Sequence, residues 1–181
     1  MSEVSQSLHL LHATRASTRS IALASRIAGR IIAHNGKWVT FVPFEEDEVP
    51  IMAAAVPGVC LRWVYFEDFG LHIEFWEAGV ELGRVDLKWQ AGEGSVISTI
   101  QDTRLLTRGV SLPLEPFSSL VRSIAVQLEP PASLRDRAAA LLELPAYQWL
   151  SPFSVLDTPL DSARQLFPEA EDVDPMSVLT N

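Results

Sequence analysis

His72 and Glu74 alternate along Leu71-His72-Ile73-Glu74-Phe75-Trp76, which puts an imidazole and a carboxylate on one side of an extended chain. Glu67 and Asp68 precede them at a turn. A histidine gathered with several carboxylates supplies the groups for general acid–base work or for holding a divalent cation. His72, Glu74, Glu67 and Asp68 therefore form one candidate site, that of a small enzyme. Against this, hairpin tips and wet sheet faces are ordinarily acidic.

Other chemistry is sparse. His9 and His12 are three residues apart near the N-terminus with no third ligand beside them, so no metal is expected. The single cysteine, Cys60, lies in the apolar run Val59-Cys60-Leu61 and reads as a buried structural thiol. The chain has no Gly-x-Ser-x-Gly elbow, no phosphate-cradling glycine motif beyond the lone pair Gly92 and Gly94, and no EF-hand spacing. No catalytic residue outside the His72 cluster and no cofactor follow from the motifs.

Two charged features remain. Glu45-Glu46-Asp47-Glu48 is a run of four carboxylates. With Glu67, Asp68 and Trp76 it would make an acidic and aromatic surface of the kind that binds a protein partner, a basic one by charge. Trp76 shares its strand face with His72 and Glu74, opposite Leu71, Ile73 and Phe75. The second feature is basic. Arg15, Arg19, Arg26 and Arg30 fall on one arc of a helix if residues 14–33 are helical, with Ile27, Ile31 and Ile32 opposite. Such a stripe suits a solvated face of the first helix, an anionic partner or membrane surface, or an Arg-rich targeting segment.

The elements that must position these groups read as follows. Asn35-Gly36 closes the first helix. Residues 37–44 are a strand, and residues 51–56 a short helix with Pro50 in its first turn, or a strand. Strands over 59–66, 71–76 and 80–89 form an antiparallel meander rich in aromatics: Trp63, Tyr65, Trp76 and Trp89. The apolar parity slips between Leu82 and Val85, where Gly83 marks a β-bulge. A further short strand covers 95–100. Helices follow over 117–128, 133–144 and 159–167. The sum is α+β: an N-terminal amphipathic helix, a mostly antiparallel sheet of about four or five strands, and C-terminal helices packing on it. Residues 1–168 are expected as one domain, and 169–181 as a frayed acidic tail.

Bulk numbers bound the function. The 181 residues are 48% hydrophobic and 20% charged, enough to build a core without disulfides or structural metal. The net charge of −9 disfavours a nucleic-acid binder. It is unevenly spread: residues 1–40 carry +4 and residues 41–181 carry −13. No run approaches the ~20 apolar residues of a membrane span. The leading expectation is a small acidic cytoplasmic protein of bacterial type that binds a protein partner without catalysis, as adaptor, inhibitor or immunity-type protein. The alternatives are the small enzyme and, behind it, a membrane- or organelle-associated protein.

Overall fold

The computed structural model describes residues 4–45, 47–66, 70–89, 96–101, 131–145 and 157–178. The predicted helix over 117–128 lies outside these residues. The architecture is α+β, and the sheet is larger than the sequence suggested. Eight strands lie in the order β7-β6-β5-β4-β1-β3-β2-β8, every neighbouring pair antiparallel. They are β1 (Val4–Leu11), β2 (Gly29–His34), β3 (Trp38–Pro43), β4 (Val59–Phe66), β5 (Gly70–Glu77), β6 (Val80–Trp89), β7 (Val96–Gln101) and β8 (Glu171–Val173). The helices are α1 (Arg15–Ser25), α2 (Glu48–Ala55), α3 (Pro131–Leu142) and α4 (Leu160–Leu166).

The first described element is therefore a strand, not a helix. β1 precedes α1 and is a central strand, paired with β3 on one side and β4 on the other. Its alternation is disguised because Ser7 and His9 point into one buried face while Leu8 and Leu10 point into the other. α1 stops at Ser25, because Arg26 adopts a left-handed conformation and its N–H bonds back to Ala22 and Leu23. Asn35-Gly36 is then the turn of the β2–β3 hairpin, not a helix end. Gly36 has φ +81°, and the Asn35 side-chain oxygen accepts from the backbone N–H of Lys37 and Trp38.

An apolar cluster lies on each face of the sheet. On one, Trp38, Leu61, Trp63, Leu71, Ile73, Phe75, Val85 and Leu87 pack with Ala138, Ala139 and Leu142 of α3. The Trp38 indole N–H donates to the Leu142 carbonyl at 2.8 Å, tying the end of α3 to the hairpin. On the other face, α1 and α2 bury Ala22, Val49, Met52 and Ala53 against Leu8, Leu10, Val39, Phe41 and Cys60. Those two helices sit over β1, β2 and β3 and the near side of β4. On that face α2 reaches β5 only at Trp76 and the turn at Gly79, and no described helix covers His72 or Asp86.

The meander follows the sequence closely. Ala78 and Gly79 make the tight β5–β6 turn, both at positive φ. The bulge is present: Phe75 faces Gly83 while Trp76 faces Glu81, leaving Leu82 as the extra residue. The expected frayed tail is instead partly structured. Glu171–Val173 form β8 on the edge of β2, and Pro175–Val178 make a 3-10 turn.

Candidate functional site

The face of β4, β5 and β6 opposite α3 is a grid of polar side chains fixed by strand register. Val64, His72 and Asp86 lie side by side, with Gln6 of β1 beyond Val64. The neighbouring row is Arg62, Glu74 and Arg84, and the row on the other side is Phe66, Gly70 and Lys88. Because no described helix covers His72 and Asp86, this floor opens into a groove of about 750 Å³. Gln6, Arg62, Val64, Phe66, His72, Asp86 and Lys88 line it, and Asp47, at the start of α2, forms one wall.

Glu74 is the hub. One of its oxygens accepts from Arg62 at 3.1 Å and from His72 Nε2 at 2.7 Å; the other accepts from the Trp76 indole at 3.1 Å. Burial alone would raise its pKa. The His72 hydrogen bond, the Arg62 charge and the indole N–H outweigh burial and hold it at about 2. The other His72 nitrogen, Nδ1, is bonded to Asp86. The bond to Glu74, then burial working against it, then the bond to Asp86 leave the His72 pKa raised. An imidazole facing a carboxylate on each side donates from both nitrogens, which is the imidazolium form. Arg62 also donates to Gln6 at 2.9 Å. The floor is thus a closed network of fixed charges in which no ring nitrogen of His72 is open to a substrate or metal. Among the described residues no group of three or more His, Cys, Asp or Glu is placed to hold a metal ion.

The structure brings together His72 and Glu74 as the alternation predicted. It adds Asp86, Arg62 and Gln6, which sequence reasoning missed. Asp86 and Arg62 were within reach: Arg62 is opposite Glu74 in the β4–β5 pair, and Asp86 is opposite His72 in the β5–β6 pair. Gln6 required knowing that β1 inserts beside β4. Glu67, Asp68 and Glu46 lie outside the described residues.

The rest of the expected acidic and aromatic surface is divided. Glu45 and Asp47 are exposed, and Asp47 makes no side-chain bond as the residue preceding α2. Glu48 is half-buried, and burial, then Asp47 and Glu45, raise its pKa. Trp76 is not an open aromatic patch. It is half-buried, packs beside the α2 core and spends its N–H on Glu74.

The four arginines do not form one stripe, because the helix that would carry them ends at Ser25. Arg15 and Arg19 lie on α1 and both bind Glu171, each at 3.1 Å. Arg26 caps α1. Arg30 lies on β2, buried, and makes two bonds to Asp172 and one, at 2.7 Å, to the Thr158 carbonyl. Three of the four thus meet the protein's own C-terminal acids. No described helix is long and apolar enough to cross a membrane.

His9 and His12 also separate. His12 is exposed, whereas His9 is fully buried, its Nε2 3.0 Å from the Ser7 hydroxyl and its Nδ1 3.0 Å from that of Thr40. Burial lowers its pKa to about 3, so it is neutral. Thr40 also contacts the Pro145 carbonyl at 3.4 Å. With Thr40 donating there, Nδ1 carries the His9 proton and Nε2 accepts from Ser7, which satisfies the string internally. Cys60 is buried as expected, its thiol pushed to about 12 by burial and by Glu74. Comparison with known proteins yields no likeness to reason from: no family model matches the chain, and no curated protein or solved structure matches it.

Proposed function

We propose that this protein is a non-catalytic binding domain that engages another protein through the groove over β4, β5 and β6 and the acidic approach to α2. The observation that carries this is the groove floor. Its charged groups are bound to one another, which suits a rigid recognition surface better than a reacting one. Val64 and Phe66 supply apolar contact beside that floor, Asp47 supplies exposed negative charge at its edge, and Glu45 is exposed two residues before it. The −13 carried by residues 41–181 favours a basic partner and would speed its approach. An enzyme built on His72 and Glu74 is the competing reading. It requires the bond to Asp86 or Glu74 to open so that a ring nitrogen can act as base.

Capture from the native cell at low salt, followed by comparison of variants, tests the binding reading. A discrete partner should be retained by the wild-type protein and by Ile51→Arg, on the exposed side of α2, and lost with Phe66→Arg in the groove. Retention by Phe66→Arg, or no discrete partner, counts against it. Phe66 is surface-accessible, so its loss of binding is separable from unfolding by circular dichroism.

A further inference from the structure

We propose that β2 and the first turns of α1 form a docking edge for an acidic extended segment of a partner protein, and that β8 fills this edge in cis as an exchangeable stand-in. The edge lies across the sheet from the groove, so the inference is independent of the reading above. The basic residues that the sequence groups as one stripe converge here from two elements. Arg15 and Arg19, one turn apart on α1, each bind one oxygen of Glu171 at 3.1 Å. Arg30, on β2, bonds both oxygens of Asp172, its cross-strand neighbour. Glu171 is opposite Ile31 in that register, so the two acids, adjacent in sequence, leave the strand on opposite sides. The edge therefore recognises backbone pairing along Gly29–Ile31 and a carboxylate on each side of the paired strand.

Three features make β8 replaceable. Its apolar hold is small: among the described residues from 157 onward, only Ala163, Ala170 and Val173 are buried. It is three residues long and pairs with half of β2. The other half, Ile32–His34, pairs with no described strand on that side and borders a cavity of about 320 Å³. Finally, it leaves donors unused. Three guanidinium groups meet two carboxylates, and Arg15 Nε is buried with no acceptor among the described residues. A longer strand with the same acid pair would add backbone bonds along Ile32–His34, while β8 keeps the advantage of being tethered. Because β8 runs antiparallel to β2, residues preceding the acid pair would extend over Ile32–His34. The partner segment is thus a strand of β-forming residues followed by two adjacent acids.

The test uses the full chain, labelled with nitrogen-15, and the peptide Thr-Val-Thr-Glu-Asp-Val as probe, with its Gln-Asn counterpart as the neutral control. The wild type should bind the acidic peptide weakly, with saturable shifts of the Gly29 and Ile31 amides and none at Phe66 or Asp86. The double variant Glu171→Gln, Asp172→Asn, whose own strand is loosened, should bind it about tenfold more tightly. Adding Arg15→Gln and Arg19→Gln to that variant should reverse the gain, again by about tenfold. No binding to either chain, equal affinity of the two chains, or equal binding of the neutral peptide overturns the proposal. Where circular dichroism shows the loosened variant unfolded, amide exchange in the wild type decides. The amides of β8 should exchange about a hundredfold faster than that of Leu10 in central β1. Exchange at the rate of Leu10 means that β8 opens only with the whole fold, and overturns its role as stand-in. A wild-type dimer in light scattering that the peptide dissociates identifies a second copy as the occupant and overturns the assignment to another protein.

Discussion

His72, Glu74 and His9 give stability opposite dependences on pH. The folded His72 has a raised pKa, so its contribution is complete below about 6.5 and is lost as pH climbs through its folded value. Glu74 is held at about 2, so its contribution is complete above the ordinary 4.5 and is lost as pH falls toward 2. His9 stays neutral in the fold down to about 3, whereas the unfolded chain takes up a proton near 6.5. Stability therefore falls as pH drops from 6.5 toward 3. The three together predict a maximum near pH 6.5, checked by denaturant midpoints across pH. His9→Gln should flatten the slope between pH 6.5 and 4.5 and leave the acid limb below it. His72→Gln should remove the decline on the alkaline side. The His72–Glu74 pairing was legible from alternation alone. The charge state of His72 was not, since it depends on Asp86 from another strand.

At the scale of elements, the decisive difference from the sequence reading is the end of α1. Helical spacing of four arginines and three isoleucines was real arithmetic. It was overridden by the hairpin turn at Asn35-Gly36 and by a strand whose first residue has no room for a side chain. A Cβ at Gly29 would lie 2.4 Å from the Phe41 ring and 2.6 Å from the Val42 carbonyl. Gly29→Ala should therefore cost about 1–3 kcal/mol by overpacking, read from chemical unfolding. β8 offers a second test. Asp172 is the carboxylate partner of buried Arg30, whereas Glu171 pairs with the more exposed Arg15 and Arg19. Asp172→Ala should cost about 1–3 kcal/mol, and Glu171→Ala less than about 1 kcal/mol. Equal costs would mean that burial of Arg30 does not set the strength of the strand's attachment.

Across the whole molecule the charge asymmetry has two outcomes. Much of the excess of arginine near the N-terminus is met within the chain, at β8. Glu45 and Asp47, at the approach to α2, are left facing solvent. Charge reversal at Glu45 and Asp47 together should slow association with a basic partner and flatten its salt dependence, while the dissociation rate changes less. Stopped-flow mixing at several ionic strengths reads this directly.

The sequence by itself determined the α+β class, the three-stranded meander, the presence of a bulge beside Gly83 and the division of β5 into an apolar and a polar face. These follow from local rules: side-chain alternation has period two, and tight turns demand particular residues. Tertiary structure decided that β1 is a central strand, that the basic segment is half helix and half strand, and that the acidic end binds back as β8. It also decided that His72, Glu74, Asp86, Arg62 and Gln6 meet. Each of these depends on pairing between residues distant in the chain, and strand register across such distances is set by the packing of both sheet faces at once.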